Sequence, residues 1–492
     1  MALAPERDRH GHLVTRRSHV QSLQLPLVPS AKRKGTTMAG SEGPSSTSPG
    51  GGRTVSERAT RPAKALAACL VAGLAAAGCG GSGSSGSAGS SGGGTITIAD
   101  VAPFTGADAA LGPIYYASCL GAAQAIKNAG GVLGKTVNCK AVDTRGDPAD
   151  AVPAVRQMFA STSDLGLVIG LTSDEAASVV PVINANKMVM FGMTGESEFD
   201  STHFEYFYRL VAPDLAESYA LVAIAQQKGY KKVALAFGND IGSQTFVKPA
   251  ISALAKAGIA LTENETLDLK ASTFRTEASK IVASHPDAIF TEALGPAAAS
   301  FLSEVKQLNG GKSIPVVGTS ACIDPSWFKA VSAAIGAEDL AANFIADNTA
   351  IDTSGPAYQT FKAALESQKS KAGNTGNFDT YLTAPGAVHL YDGINLAALA
   401  MVAAKSTTPQ AYRPFIESIG NGTPGAVEVH SFADGVAALK AGKKVHYTGP
   451  GGPTKFDSYH DSTGLFEVDK YDATGNVSVV GHLTSDQIRA FG

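Results

Sequence analysis

The sequence is poor in the residues that build metal, redox and nucleic-acid sites. It has one tryptophan, five cysteines and a formal net charge of -3 over 492 residues. It contains no C-x-x-C or H-E-x-x-H motif and no cluster of cysteine and histidine, so we expect neither a metal site nor a cofactor. The nearly balanced charge gives no reason to expect nucleic acid as a partner. Core material is ample, since 44% of the residues are hydrophobic.

The first 94 residues have the composition of an export and tether region. Residues 1–56 are rich in Arg, Ser, Pro and Gly without apolar periodicity, so we interpret them as disordered or as an upstream extension from a misassigned start codon. Residues 57–79 carry a basic flank and an apolar run too short for a stable membrane anchor, which favours a signal peptide. Residues 80–94 are almost wholly Gly and Ser and predict a flexible linker.

The cysteine at the end of the signal segment bears on whether the protein is anchored to the membrane. Cys79 follows Ala76-Ala77-Gly78, an arrangement that resembles a bacterial lipobox. We therefore predict that Cys79 becomes a lipidated N-terminus that anchors the protein to the outer face of the cell membrane. The alternative is an ordinary cleaved signal with an incidental cysteine.

The folded part opens with a strand, loop, helix, strand unit. Thr95–Asp100 has the composition of a short buried strand, a helix follows, and Thr136–Asp143 forms the second strand. Two strands joined by a helix imply a parallel pair, and ligands of parallel sheets bind beyond the carboxyl ends of the strands. At that end, the loop containing Phe104 and Thr105 can offer backbone amides to a small molecule.

The same alternation continues along the chain and predicts an α/β fold with parallel sheets. Further strands are expected at residues 167–170, 188–191, 232–237, 262–267, 288–291 and 315–318. Helices are expected between them, at residues 173–185, 215–229, 244–257, 273–284 and 297–308. Alternating strands near the C-terminus, residues 464–482, surround a turn at Asp472–Gly475.

Three cysteines remain in the folded part. Cys119 lies on the first helix and Cys139 on the adjoining strand, so the two are candidates for a disulfide outside the cytoplasm. Two buried thiols are the alternative, because pairing is not readable from sequence. Cys322 would be left unpaired in either case.

Several segments in order resemble a known family. The segment V-A-P-F-T-G, the helix end I-K-N-A-G-G, then G-V-L-G-K-T-V and D-T-R-G-D-P-A-D-A-V are similar to the start of branched-chain amino-acid type substrate-binding proteins of ABC transporters. The resemblance runs from about Thr95 to the C-terminus. It implies a protein without catalytic activity that binds a small-molecule ligand and works with an ABC permease and its ATPase subunits.

The resemblance also implies the architecture: two doubly wound parallel-sheet lobes joined by a three-stranded hinge, the type I periplasmic binding protein fold. We place the hinge crossings near residues 210–213, 342–347 and 446–457. The first lobe would then comprise residues 95–212 plus 347–447, and the second residues 213–346 plus 448–492.

Two loops of the first lobe match ligand loops of the family. Thr172 and Ser173 follow a strand and resemble the family's carboxylate-binding loop, since hydroxyls and free amides at a helix start hold anions. Plain helix capping is the alternative. Thr194 and Gly195 match in position the family's second ligand loop, and here the alternative is an ordinary turn.

In the second lobe the match is less complete. Asp240 and Ile241 belong to a stretch in which the family has an aromatic residue before the glycine, and Ile241 stands in the place of that aromatic residue, which argues against stacking there. Ser320 occupies the position of the acid that pairs with a ligand ammonium. A buried ammonium needs a countercharge, which would have to come from Asp240, Glu292 or Asp324. If none faces the cleft, we expect a carboxylate, amide or other small polar metabolite rather than an α-amino acid.

Three functions remain open at this point. The first is a lipid-anchored solute-binding protein that closes its lobes over a ligand and delivers it to a permease. The second is a sensor with the same fold, which signals closure to a separate membrane protein. The third, a secreted α/β hydrolase, would need a G-x-S-x-G nucleophile elbow, and none of the predicted strand-to-helix turns carries one.

Overall fold

The computed structural model describes residues 93–106, 108–374, 378–462 and 466–491. The expected extension, the signal segment with Cys79 and most of the Gly/Ser linker lie outside these residues. The described chain forms two α/β lobes, each built on its own sheet, which confirms the predicted fold class.

The first lobe is built on a fully parallel sheet of five strands in the order β2-β1-β3-β4-β5. Its strands are β1 (Thr95–Ala102), β2 (Thr136–Asp143), β3 (Leu165–Gly170), β4 (Met190–Gly192) and β5 (Phe207–Arg209). Every residue of β1 after Thr95 is buried. Burial on both faces is typical of a parallel strand covered by helices on each side.

The second lobe has a seven-stranded mixed sheet in the order β15-β14-β10-β9-β8-β6-β7. Its strands are β6 (Lys232–Gly238), β7 (Ala260–Leu267), β8 (Ala288–Glu292), β9 (Val316–Gly318), β10 (Phe344–Thr349), β14 (Phe466–Tyr471) and β15 (Val477–Leu483). The pairs β10–β14 and β14–β15 are antiparallel. The expected C-terminal pair of strands is therefore the edge of this sheet.

Helices cover both sheets, and a small third sheet sits on the first lobe. The helices are α1 (Leu111–Asn128), α2 (Pro148–Ser161), α3 (Ser173–Ala185), α4 (Asp214–Lys228), α5 (Ile241–Thr245), α6 (Val247–Ala257), α7 (Arg275–Ser284), α8 (Gly295–Leu308), α9 (Pro325–Ile335), α10 (Ala337–Asn343), α11 (Pro356–Glu366), α12 (Pro385–Ala404), α13 (Pro409–Gly420), α14 (Phe432–Lys440) and α15 (Ser485–Arg489). The third sheet contains β11 (Val427–Val429), β12 (Val445–Gly449) and β13 (Gly452–Pro453).

Helix caps follow the sequence signals. Asp147 accepts a hydrogen bond from the Ala149 amide at the start of α2, with Pro148 at the first helical position. After α1, Gly130 and Gly131 both have positive φ, the conformation that glycine adopts without steric cost. These local signals therefore set the helix ends around the first two strands.

The structure moves two of the three hinge crossings toward the C-terminus. The first lies between β5 and α4, at residues 210–213. The second follows β10, because Phe344–Thr349 pairs within the second sheet, so residues 347–349 belong to the second lobe. Residues 448–462 belong to the first lobe, because Phe456 packs in the first core and Asp461 binds Arg209, so the third crossing lies beyond the expected residues 446–457.

Helix α12 is the central helix of the first lobe. Among the described residues it is the one helix that is long and apolar enough to cross a membrane, with a mean hydropathy of 1.4. However, 83% of its apolar stretch is buried, and its residues belong to the core with Ile98, Leu167 and Phe191. Burial of this kind is typical of a core helix.

A disulfide joins α1 to β2. Cys119 and Cys139 are bonded, with their Cα atoms 6.0 Å apart, and this resolves the pairing that the sequence left open. Cys322 is a free, buried thiol beside the Thr291 carbonyl.

Candidate functional site

A cavity of about 240 Å³ lies between the two lobes. Its first-lobe wall comes from the starts of α1, α3 and α12 and the loop after β4; its second-lobe wall comes from the start of α4 and the loops after β6, β8 and β9. Most of these loops follow the carboxyl ends of parallel strands, where ligands of such sheets bind. The polar and aromatic lining residues are Asp108, Tyr115, Thr172, Ser173, Asp174, Asp214, Glu217, Asp240, Ser243, Phe246, Glu292, Ser320, Asp324, Ser326 and Trp327.

The start of α3 supplies hydroxyl groups to the first-lobe wall. The Ser173 hydroxyl lies 3.1 Å from that of Thr194, which is fully buried just behind the lining. Thr172 forms a capping box with Glu175, because the Glu175 carboxylate accepts from both the amide and the hydroxyl of Thr172. The Thr172 hydroxyl is thus taken by the Glu175 carboxylate, whereas the Ser173 hydroxyl lines the cavity and is shared with the Thr194 hydroxyl.

Asp174 connects the two lobes directly. Its Oδ1 accepts hydrogen bonds from the Ile241 amide at 2.9 Å and the Gly242 amide at 3.2 Å, at the start of α5. Asp240 caps the same helix through the Ser243 amide at 2.8 Å. Two carboxylates from opposite lobes therefore meet at one helix start, and we call this place the seam.

A second set of carboxylates belongs to the second lobe alone. Glu217 of α4 accepts from the Ser320 hydroxyl at 3.1 Å, and Glu292 at the end of β8 accepts from the Thr319 hydroxyl. Asp214, at the first position of α4, accepts from the Thr245 hydroxyl. We call Asp214, Glu217 and Glu292 the inner acids; all their side-chain donors are neutral hydroxyls.

The pKa values of these groups reflect burial and mutual repulsion. Burial, together with the charges of Asp174, Asp240 and Glu175, raises the pKa of Asp108 to about 7. Burial raises the pKa of Asp214 to about 7 against the opposing effect of the Thr245 hydrogen bond. The pKa values of Glu217 and Glu292 lie well above their usual range, again chiefly through burial.

Apolar and aromatic side chains fill the space between the acids. The Trp327 indole N–H donates to the Ala293 carbonyl at 3.1 Å, which fixes the ring against the lining with 3% of its surface exposed. Asp324 caps helix α9, which contains Trp327, by accepting hydrogen bonds from the Ser326 and Trp327 amides. Leu111, Ile114 and Phe246 complete the apolar surface.

The structure brings most of the residues expected at the site onto this cavity. Thr172, Ser173, Gly195, Asp240, Glu292, Ser320 and Asp324 line it. Phe104, Thr105 and Ile241 do not. The amides of Phe104 and Thr105 donate to Asp143 at 2.9 and 3.1 Å, so the amides expected to face a ligand are occupied by the protein itself. Ile241 is 46% exposed outside the lining.

Sequence reasoning missed four of the lining acids, Asp108, Asp174, Asp214 and Glu217. Asp214 and Glu217 lie in the first turn of α4, where acidic residues are common because they interact well with the helix dipole. Asp108 lies three residues before α1 in a loop of small residues. Their positions were the available signal: Asp214 and Glu217 directly follow the first hinge crossing, and Asp108 follows β1.

Comparison with known proteins identifies the family. The model of a family described as periplasmic binding proteins matches residues 95–465, or 371 of the 492 residues. No curated protein matches the sequence.

Solved structures share the fold at low sequence identity. The leucine-binding protein LivK of Thermotoga maritima is 18% identical with a TM-score of 0.63, covering 80% of this chain and 99% of that one. A solute-binding protein of R. palustris in complex with benzoate is 16% identical with a TM-score of 0.62, covering 79% and 96%. A fatty-acid ABC transporter substrate-binding protein of Thermomonospora curvata is 17% identical with a TM-score of 0.61, covering 80% and 94%.

These neighbours are named for an amino acid, an aromatic acid and a fatty acid, so the fold leaves the ligand open. The resemblance to branched-chain amino-acid type substrate-binding proteins is confirmed. With three quarters of its length matched, the chain belongs to the periplasmic binding protein family, the extracytoplasmic solute-binding proteins of ABC transporters.

Proposed function

We propose that this protein captures one small polar metabolite in the cavity between its lobes and delivers it to an ABC permease powered by its ATPase subunits. The observation that carries the proposal is the cavity itself, which takes lining residues from both lobes next to the Asp174 hydrogen bonds to α5. A ligand that contacts both walls binds the closed arrangement better than the open one. It therefore shifts the hinge equilibrium toward closure.

The proposed ligand is an amino acid or a related carboxylate or amide. Ser173, with Thr194 behind it and Thr172 and Gly195 beside it, supports a contact to a ligand oxygen. Asp240, Glu292 and Asp324 all line the cavity, so each is available to an ammonium group, with Ser320 as a neutral partner. Asp324 is the weakest of the three candidates, because one of its oxygens already caps α9 through two amides.

We further propose that a lipid on Cys79 holds the protein at the outer face of the membrane. The proposal is supported by the signal-like residues 57–79 and the Gly/Ser residues 80–94. In cells fed a labelled fatty acid, the wild-type protein should take up label and stay with membranes. A Cys79→Ser protein should lose both properties, and label retained in that variant would contradict the assignment.

Solute binding is testable with the chain's one tryptophan. Trp327 lines the cavity, so ligand binding should change its fluorescence, and a ligand that binds the native state should raise the melting temperature. A panel of amino acids, carboxylates, amides and amines should contain at least one saturable ligand. The effect should weaken in Ser173→Ala but persist in Ser332→Ala, whose hydroxyl lies outside the lining. If no panel member changes either signal, the solute-binding proposal fails for these classes.

A further inference from the structure

The cavity has an unusual balance of charge. Seven carboxyl side chains line it: Asp108, Asp174, Asp214, Glu217, Asp240, Glu292 and Asp324. Within the described part of the chain, none of the lining residues is Lys, Arg or His. Five of the seven acids come from the second lobe and two from the first, so both walls are acidic.

Nearby basic groups do not balance these acids. The basic residue whose charge acts on Asp214 is Arg209, and its guanidinium is already bound by Asp200 and Asp461. Behind the lining, Asp347 of β10 is fully buried, neither of its oxygens has a hydrogen-bond partner, and its charge acts on Glu217. These described surroundings therefore add a further buried acid to the cavity and not a countercharge.

Two of these acids also lack hydrogen-bond donors for one or more of their carboxyl oxygens. Asp108 is 91% buried on the cavity wall, and the group that shares a hydrogen bond with it is another carboxyl, Asp174. One oxygen of Asp240 is buried without any partner. Buried charges in proteins are normally paired. Among the described residues no basic side chain on the cavity wall supplies that partner, and a bound cation would.

We infer that the cavity selects a small organic dication, an alkyl diamine or longer polyamine without a carboxylate, in preference to a zwitterionic amino acid or an anion. This inference rests on the proposed capture of a small polar metabolite and assigns a cationic ligand in place of an amino acid, carboxylate or amide. One ammonium would lie at the seam, near Asp108, Asp174 and Asp240, and the other at the inner acids.

The rest of the lining fits such a ligand. Trp327, Phe246 and Tyr115 offer apolar surface for the methylene groups between two charges, and aromatic faces attract ammonium groups. Across the residues that the structure describes, no three His, Cys, Asp or Glu side chains are placed to hold a metal ion. An organic cation thus accounts for the charge better than a metal does.

An anionic end of a ligand finds little to bind. The helix start of α3 is the natural anion site, but Glu175 already takes the Thr172 amide, and Asp174 adds a negative charge at the second position of the helix. The amides at the start of α5 are taken by Asp174. A ligand carboxylate would therefore lie among carboxylates with the Ser173 hydroxyl as its main donor.

Calorimetric titration of the purified protein tests this inference. The probes are 1,4-diaminobutane, 1,5-diaminopentane and spermidine, compared with leucine, benzoate and acetamide at the same ionic strength. We expect saturable binding of at least one amine with one-to-one stoichiometry. Asp108→Asn and Glu217→Gln should each weaken that binding tenfold or more, whereas Glu428→Gln, an exposed acid on β11, should leave it unchanged.

Each outcome is decisive. If leucine, benzoate or acetamide binds and the amines do not, the dication inference is overturned while the solute-binding proposal stands. If the amines bind equally well to the wild type, Asp108→Asn and Glu217→Gln, their binding is non-specific and the inference is overturned. If no probe binds, both the inference and the ligand classes of the proposed function are rejected.

Discussion

The hinge and the cavity both bury charge, but they treat it in opposite ways. At the hinge, the fully buried Arg209 donates from Nε to Asp461 at 2.8 Å, from Nη1 to the Glu196 carbonyl at 2.9 Å and from Nη2 to Asp200 at 2.7 Å. In the cavity, seven acids share neutral donors and have no basic partner among the described lining residues. The first arrangement is complete within the protein, whereas the second is complete only with a ligand.

This difference separates structural from functional charge. A paired buried ion stabilises one conformation, because removing a partner leaves the other uncompensated. Unpaired buried acids lower stability until something binds them, and natural proteins retain such groups at functional sites. Arg209 and Asp461 also join β5 to the segment before the third crossing, which places the paired charge where the two lobes are connected.

The largest effect should come from breaking the hinge pair. Arg209→Met would leave the buried Asp461 and the half-buried Asp200 without a cation, and we expect it to lower the free energy of unfolding by about 3–5 kcal/mol. Urea denaturation measures this loss. Arg489→Met removes a guanidinium from an exposed pair with Asp486 and should cost less than about 1 kcal/mol. Equal losses of unfolding free energy in the two variants would show that the buried hinge pair contributes no more to stability than an exposed pair does.

Neutralising an inner acid should not lower the free energy of unfolding of the unliganded protein, in contrast to the loss expected at the hinge. Glu217→Gln keeps the shape and an acceptor for Ser320 but removes an acid whose ionisation is opposed by burial and by Asp347. We expect the unliganded variant to be as stable as the wild type or more stable by about 1 kcal/mol. A loss of more than 1 kcal/mol in urea denaturation would place Glu217 with Arg209 among the structural charges.

The pH dependence should show the same contrast. The folded-state pKa values of Asp108 and Asp214 are raised to about 7, so the folded protein holds protons there that the unfolded chain has released. Stability therefore falls as pH rises through that range, by on the order of 1 kcal/mol between pH 7 and 8.5. Thermal melts of the ligand-free protein measure this fall.

The comparison variant isolates the contribution of the cavity. Asp108→Asn should show a shallower decrease in melting temperature over the same pH range, because one of the titrating groups is gone. His389, whose pKa burial lowers to about 4, stays neutral in the folded protein throughout this range and adds little to the slope. An identical slope in wild type and variant would contradict the assignment of the titration to the cavity.

Weakening the contact between the lobes at Asp174 should have the smallest effect on stability. Asp174→Asn retains one acceptor oxygen for the amides of Ile241 and Gly242, but its hydrogen bonds are no longer charge-assisted. We expect a destabilisation of the closed form by about 0.5–1 kcal/mol. Small-angle scattering of the ligand-free protein should then show a slightly larger radius of gyration, and an unchanged radius would show that Asp174 does not favour closure.

The sequence predicts the fold where strands are apolar and fails where they are polar. Strands such as β6 and β8 are short apolar runs between helices, and their positions agree with the structure. Strand β10 reads Phe-Ile-Ala-Asp-Asn-Thr, and its buried Asp347 and Asn348 hide it from a search for hydrophobic alternation. For this reason the second hinge crossing was placed too early.

The site was predictable in part for a similar reason. Loops after strands were found, because strand ends of parallel sheets mark the ligand side, and Ser173, Glu292 and Ser320 do line the cavity. The role of Asp143, which takes the amides of Phe104 and Thr105, depends on a contact across 38 and 39 positions that no local pattern reveals. Asp214 and Glu217 were missed because acids at a helix start have an ordinary structural explanation.

The number of protons released or taken up on ligand binding shows whether the cavity holds acids that await a cation. Binding of the best amine from the panel should be measured calorimetrically at pH 7 in two buffers of different ionisation enthalpy. An ammonium bound beside Asp108 and Asp214 stabilises their ionised forms and lowers their raised pKa values, so we expect a net release of protons that diminishes in Asp108→Asn. Proton uptake, or the same heat in both buffers, would contradict the claim that the cavity holds acids awaiting a cation.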